Sequence, residues 1–317
     1  MKVIYLFILL ISFSLSSENL YRLGIGSCNN QDRETKAWDS LDKENLDAFF
    51  FLGDNVYGDL PNGELSRLIN AYKTFDKNKP KWMNEIEIFT IWDDHDYGMN
   101  DGGGDYVYKV EAQSLFNDFW DIEKNDPRRQ REGVYFSELK EINGHKVLII
   151  GLDTRYFRST LNKIDGKYIK NTSQNATILG DKQWSWLKKQ LTIKHDILIL
   201  ATSIQVLATE HRFEKWSNFP NEREKLLNLL EQLSSRIMII SGDRHRSGVY
   251  QKDDIIEFTS SSLNVGIFPQ VETDSLLKGK TYPENNYGII DFYPTKLEIS
   301  IKNEDMLVLE NYVIPIK

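Results

Sequence analysis

The stretch FTIWDDHDYGMND, residues 89–101, places three carboxylates and a histidine directly after an apolar run. The run at residues 88–92 has the length and composition of a buried strand, and the sequence Asp-Asp-His-Asp at residues 93–96 follows where that strand would end. A solvated turn is one explanation for such a cluster. A metal site is the other explanation, and the rest of the chain decides between them.

Further apolar runs of strand length recur along the chain. They are rich in Ile, Leu, Phe and Val and lack strict alternation, which is typical of strands buried on both faces of a sheet. These runs are AFFFL (48–52), KVLIIGL (146–152), DILILA (196–201) and RIMIIS (236–241). Apolar residues at spacings of three, four and seven predict amphipathic helices at residues 64–75, 181–191 and 221–233. Short strand-like runs after residue 250 complete an α/β pattern with a β-rich C-terminal part.

Polar side chains follow four of these runs and the stretch YRLGIGS at residues 21–27. Ligands of open α/β sheets bind outside the carboxyl ends of the strands, so we expect these side chains to meet at one edge. Each motif alone is weak, because Gly-Asp turns and buried cysteines are common without a ligand. Together they indicate a metal site, since a carboxylate cluster repels itself without cations. The strand-end residues are Cys28, Asp54, Asn55, Tyr57, Asp93, Asp94, His95, Asp96, Asp153, Arg155, Asp243 and His245.

The kinds of donor indicate two kinds of metal ion. Thiolate, phenolate, carboxylate and imidazole ligands together suit a transition metal. Asp94, Asn100 and Asp243 offer the carboxylate and amide oxygens that suit Ca²⁺ or Mg²⁺. A carboxylate such as Asp54 would bridge the two kinds. Cations held together in this way clamp phosphoryl oxygens.

The composition argues against one large class of function. The chain of 317 residues has a formal net charge of −8 and a pI near 5.3, so we expect no nucleic-acid-binding surface. Residues 1–17 have the short positive start, apolar core and small residues of a secretory signal peptide. We therefore expect a secreted or periplasmic protein with one domain over residues 18–317 and no transmembrane segment after removal of the signal.

Six motifs occur in this order along the chain: GSC (26–28), LGDNVYGD (52–59), WDDHDYGMND (92–101), LDTRYFRS (152–159), LGDKQWSWLKKQL (179–191) and SGDRH (241–245). Together they resemble the alkaline phosphatase D family, the PhoD-like phosphatases and phosphodiesterases, in a compact form. The resemblance covers most of the chain after the signal peptide. It implies a metallophosphatase-type fold, which is a four-layer α/β/β/α sandwich of two mixed β-sheets flanked by helices.

The resemblance also implies an Fe³⁺ and Ca²⁺ centre, with other divalent metals as alternatives. The residues at the positions of the iron ligands are Cys28, Asp54 and Tyr57. Those at the positions of the Ca²⁺ ligands are Asp94, Asn100 and Asp243, with Asp54 shared and His245 in the same cluster.

Three residues are expected to act on the substrate. Arg155 lies in a family motif and is expected to hold a phosphate oxygen by a charge-assisted pair. Asn55, directly after Asp54, is a second candidate for substrate binding. His95 either acts as a proton donor or orients Asp94 through a hydrogen bond.

These expectations together predict a secreted, metal-dependent phosphoric ester hydrolase acting on a small phosphoester. A metal-bound hydroxide is the expected nucleophile, and no covalent protein intermediate is required. Two alternatives are weighed beside it. A non-catalytic calcium-binding protein would need the carboxylates but not Cys28 or Tyr57. A dinuclear site of the purple acid phosphatase kind would need more histidines than His95 and His245 at strand ends.

Overall fold

The computed structural model describes residues 20–266 and 272–316. The predicted signal peptide lies outside these ranges, and its assignment stays a prediction. The strands in the described ranges are β1 (Tyr21–Gly26), β2 (Ala48–Leu52), β3 (Glu87–Ile91), β4 (Phe136–Ile142), β5 (His145–Gly151), β6 (Asn162–Ile164), β7 (Lys167–Ile169), β8 (Ile197–Thr202), β9 (Arg236–Ser241), β10 (Ser247–Lys252), β11 (Ile255–Thr259), β12 (Leu277–Tyr282), β13 (Asn286–Phe292), β14 (Lys296–Asn303) and β15 (Val308–Pro315).

The helices that the periodicity predicts are present. Their observed ends differ from the predicted ones by up to three residues, as is usual for helix ends. The α-helices in the described ranges are α1 (Ala37–Leu41), α2 (Ser66–Asn78), α3 (Asp94–Tyr97), α4 (Lys109–Phe119), α5 (Gly180–Gln190) and α6 (Pro220–Leu230).

Two large mixed sheets form the centre of the molecule. In the first sheet the strand order is β15-β14-β13-β1-β2-β3, with β1, β2 and β3 parallel. In the second the order is β12-β10-β11-β9-β8-β5-β4, with β5, β8, β9 and β11 parallel. The apolar runs without alternation are thus the parallel strands, because such strands are covered on both faces.

Alternating side chains of β2 show how the layers form. Phe50 and Leu52 pack into an apolar core shared with residues of the second sheet, such as Ile199 and Ile240. The next residues along the strand point the other way, and Phe49 and Phe51 pack with residues of α1, α2 and α4. Residues of α5 and α6 cover the outer face of the second sheet. The predicted four-layer α/β/β/α sandwich is therefore confirmed.

A small hairpin lies outside the two sheets. Strands β6 and β7 pair antiparallel through the two-residue turn Asp165-Gly166, in which both residues have positive φ, 49° and 73°. Asp-Gly is the pair that such a tight turn favours. No helix in the described ranges is long and apolar enough to cross a bilayer.

Candidate metal centre

Several candidate ligands have an unusual backbone conformation. Cys28, Asp54, Asp243 and His245 have φ values of 57°, 50°, 65° and 51°, in the left-handed region. This region costs an L-residue roughly 1–2 kcal/mol. Such strain persists where the surrounding structure fixes it, and it concentrates at functional sites. The turns after β1, β2 and β9 therefore hold these side chains in place.

The turn after β2 depends on a glycine and a buried carboxylate. Gly53 has a φ of 97°, and a Cβ atom there would lie 2.6 Å from the Cβ atom of Asp93. The carboxylate of Asp96 accepts hydrogen bonds from the backbone N–H groups of Asp54 and Asn55, each at 3.2 Å. It also accepts one from the Asp93 N–H at 2.6 Å. Through these hydrogen bonds Asp96 connects the end of β3 with the end of β2.

The strand ends of both sheets bring the predicted ligands together. The Sγ atom of Cys28 lies 3.4 Å from Oδ2 of Asp54. The Tyr57 hydroxyl lies 2.9 Å from Nε2 of His245. In the part of the chain that the structure describes, three groups have ligand atoms within 4.8 Å of one another, and Asp54 belongs to each of them. The groups are Cys28, Asp54 and His245; Asp54, Asp94 and His95; and Asp54, Asp93 and Asp243.

Burial opposes charge on most of these acids. It raises the pKa of the Cys28 thiol to about 12 and holds the pKa of Tyr57 well above its usual range. Burial, together with neighbouring acidic groups, also raises the pKa of Asp54 and of Asp243. At Asp94 burial acts in the same direction, but the charges of His95 and Arg155 outweigh it and lower its pKa. Without cations the thiol and the phenol therefore remain protonated at neutral pH.

The cluster fits metal ions by its donors and by its unsatisfied atoms. Oδ2 of Asp93 and Oδ1 of Asp94 are buried, and neither has a hydrogen-bond partner within the described ranges. Leaving buried polar atoms unpaired is costly, so such atoms call for an explanation such as a bound ion. Thiol, phenol, imidazole and shared carboxylates are suitable ligands for a transition metal beside a harder cation.

His95 lies beside the candidate ligands and is held by two contacts. Its Nδ1 atom is 2.5 Å from Oδ1 of Asp59, and its ring stacks on Tyr57 with ring centroids 4.2 Å apart. Burial lowers the pKa of His95, but Asp94, Asp54 and Asp59 outweigh burial and raise it to about 11. His95 also lines a cavity over the cluster, so its ring is placed to reach a molecule bound there.

The remaining predicted residues fall into two groups. Asn100 lines the same cavity as Asp94 and Asp243. Arg155 and Asn55 are wholly buried and do not line this cavity, and their assignment to substrate binding stays a prediction. The amide of Asn55 donates to the Ile91 carbonyl at 2.8 Å and to Asp96.

Arg155 belongs to a buried network of charges under the cavity. Its guanidinium lies 2.6 Å from Oδ1 of Asp93 and 2.7 Å from Oε2 of Glu214. Arg158 pairs with the other oxygen of Glu214 at 2.9 Å. Arg155 therefore connects the end of β3 with the loop that carries Glu214.

The sequence alone indicates no specific role for Asp93, Asp59 or Glu214. For Asp93 the local sequence does carry a signal, because the residue directly follows a strand-like apolar run. Asp59 stands at the end of the motif LGDNVYGD, where its position relative to His95 is set by tertiary structure. Glu214 lies in a charged loop with no local signal, because its partners are more than 50 residues away in sequence.

Comparison with known proteins agrees with this architecture. The profile of the family described as PhoD-like phosphatase matches residues 23–294. Alkaline phosphatase D of Bacillus subtilis (strain 168) is 21% identical in an alignment of 284 positions, which covers 72% of this chain and 46% of that protein. The chain thus spans less than half the length of this relative.

Solved structures give the same fold at low sequence identity. A structure of PhoD superposes with a TM-score of 0.70 at 17% identity, over 93% of this chain and 68% of that one. GAP50, the anchor in the inner membrane complex of Plasmodium, has a TM-score of 0.64 at 14% identity, over 94% of this chain and 89% of that one. These likenesses establish the fold, and the profile match over most of the sequence establishes the family. The chain belongs to the PhoD-like phosphatase family.

Proposed function

We propose that this protein is a metal-dependent phosphoric ester hydrolase. The observation that carries the proposal is the contact of Cys28 with Asp54 and of Tyr57 with His245, next to a cavity that Asp54, Asp94, Asp243 and His245 line. Four of these six have left-handed backbone conformations, a kind of strain that is often found at functional sites. Membership of the PhoD-like phosphatase family supports the same chemistry.

We further propose how the ligands divide between two kinds of cation. Cys28, Tyr57 and His245 would hold a transition metal, with Fe³⁺ as the family resemblance implies. Its harder neighbour, Ca²⁺, would be held by the oxygen donors Asp94, Asn100 and Asp243, with Asp54 shared between the ions. Bound cations of this kind neutralise phosphoryl charge and lower the pKa of water.

The protein's own groups have two tasks in this proposal. His95, fixed at Nδ1 by Asp59, presents the other side of its ring and delivers a proton to the leaving oxygen. Arg155 acts as a positioning residue: it fixes Asp93 and Glu214 by buried ion pairs. In this proposal Arg155 acts through Asp93 and Glu214 rather than by touching the phosphate itself.

Export through residues 1–17 is part of the proposal. It rests on the charge and apolar pattern of those residues. Mass spectrometry of the protein recovered from the host's extracytoplasmic fraction tests it. A mature chain that begins near residue 18 agrees with a cleaved signal, and an intact Met1 in the cytoplasm contradicts it.

A non-catalytic protein is the competing function. It deserves a test because GAP50, named as an anchor, has the same fold. The experiment is elemental analysis of purified protein, with turnover of p-nitrophenyl phosphate and bis-p-nitrophenyl phosphate measured before and after chelation. A transition metal together with calcium, and turnover lost on chelation, agrees with the hydrolase. Calcium alone without turnover of either ester favours the binding protein.

A further inference from the structure

The cavity over the cluster is larger than a phosphoryl group needs. Its volume is about 460 Å³, within the range of roughly 300–1,000 Å³ that is typical of sites for whole organic molecules. Asp54, Asp94 and Asp243 form one part of its lining. Residues of the β6–β7 hairpin and of the loop at residues 209–215 form another part, which we call the outer wall.

The outer wall contributes positive charge to an acidic protein. Lys163 of the hairpin and Arg212 of the loop both line the cavity, and both are exposed. Within residues 20–266 and 272–316, neither of these side chains forms an ion pair. Asp165, at the exposed tip of the hairpin, also lines the cavity. Since it is one carboxylate beside two cations, the exposed charged side chains of the outer wall that line the cavity carry a net positive charge.

Three further charged residues of the cavity lining already have partners. Glu214 pairs with two buried arginines beneath the cavity. Arg244, only 4% exposed, pairs with Glu272. Asp101 accepts a hydrogen bond from the Tyr168 hydroxyl. The Lys163 amine lies 3.4 Å from the Tyr168 hydroxyl and 4.7 Å from the centre of that ring, neither of which neutralises its charge. Among the described residues of the lining, Lys163 and Arg212 are therefore the cations without an acidic partner.

The wall is held together by specific contacts. The ring of Phe213 has the guanidinium of Arg212 5.1 Å from its centroid and that of Arg244 4.6 Å from it. The Tyr168 N–H donates to the Arg212 carbonyl at 3.3 Å, which joins the hairpin to the loop. The cations thus stand on a structured surface rather than on a free loop tip.

We propose that the cavity takes a small phosphate ester that carries a second anionic group, a phosphate or a carboxylate, which Arg212 and Lys163 bind. The inference rests on the proposed function, because it places the reacting phosphoryl group at the carboxylate side. Arginine suits such a group through paired, charge-assisted hydrogen bonds, and lysine adds a point charge. Phe213 also lines the cavity and offers an apolar contact for the linking carbons.

The test compares propyl phosphate with 1,3-propanediol bisphosphate and 1,6-hexanediol bisphosphate on the metal-loaded protein. All three have an alkyl leaving group, and they differ in the second anion and its distance. A bisphosphate has two equivalent ends that can react, which alone raises kcat/KM by a factor of about two. Beyond that factor, we expect kcat/KM for at least one bisphosphate to exceed that for propyl phosphate by about tenfold. Arg212→Glu and Lys163→Glu should each abolish this preference.

The matched control is Lys188→Glu, an equal charge change on the exposed part of α5, outside the cavity. It should keep the preference of the unaltered protein. Equal kcat/KM for all three esters, or a preference that survives Arg212→Glu, overturns the inference while the hydrolase function stands. Calorimetric binding of the bisphosphates is measured on the same proteins. If no ester is hydrolysed but binding still depends on Arg212, the hydrolase proposal fails and the recognition of a second anion stands.

Discussion

The hydroxyl of Tyr57 lies 2.9 Å from Nε2 of His245, although the two residues are 188 positions apart in sequence. Tyr57 follows β2 of the first sheet, and His245 follows β9 of the second. Their contact therefore joins the ends of the two sheets at the candidate metal centre. The phenol oxygen and the imidazole nitrogen are two neutral ligand atoms at this position, and one cation bound there would contact both.

Replacing Tyr57 by phenylalanine should remove a ligand and keep the stacked ring. The ring contact with His95, with centroids 4.2 Å apart, does not need the hydroxyl. We expect bound transition metal to fall and kcat/KM for p-nitrophenyl phosphate to drop by about 100-fold, at the upper end of what loss of a supporting group costs. Elemental analysis and initial rates measure this, with Tyr108→Phe, on an exposed tyrosine, as the control. Unchanged metal content would remove Tyr57 from the ligand set.

Binding of the transition metal should release a proton and strengthen as pH rises. Burial raises the pKa of the Cys28 thiol to about 12, so the metal-free protein keeps that proton at neutral pH. A metal ion binds the thiolate, and each rise in pH below this pKa makes the thiolate easier to form. Titration calorimetry in two buffers of different ionisation enthalpy counts the released protons. Cys28→Ser should release fewer, and an affinity independent of pH from 6 to 9 would argue against thiolate ligation.

Asp59→Asn should affect esters with poor leaving groups most. Asp59 fixes Nδ1 of His95, and a proton donor matters more when the departing oxygen is strongly basic. We expect a loss of about 10- to 100-fold in kcat for an alkyl phosphate and a smaller loss for p-nitrophenyl phosphate. Asp76→Asn, on the exposed face of α2, is the control. Equal losses for both esters would assign Asp59 a purely structural role.

Arg155→Met should destabilise the metal-free protein. It leaves Asp93 and Glu214 buried without one of their charge partners, which costs about 3–5 kcal/mol in comparable cases. The free energy of unfolding in urea measures the loss. Lys188→Met on the exposed face of α5 should change it by less than about 0.5 kcal/mol. If Arg155→Met keeps full stability and raises only KM, the result contradicts the positioning role and supports a direct contact between Arg155 and the phosphate.

The sequence predicted the central strands because their character is local. Runs such as AFFFL at residues 48–52 are apolar on both faces, and only strands covered on both sides keep that composition. The three predicted helices follow from equally local periodicity. Short antiparallel strands such as β4 and β10 gave weaker patterns, because one of their faces is partly exposed or their runs are interrupted by polar residues.

The sequence by itself determined which residues stand at the strand ends, since Gly53-Asp54 and Gly242-Asp243 each follow a recognisable strand. The tertiary structure decided what each of them touches. It buried Arg155 under the cavity, turned Asn55 toward Asp96, and placed Asp59 against His95. The physical reason is that strand formation depends on neighbours along the chain. Ion pairs and ligand groups instead depend on the packing of two sheets whose contacting residues are distant in sequence.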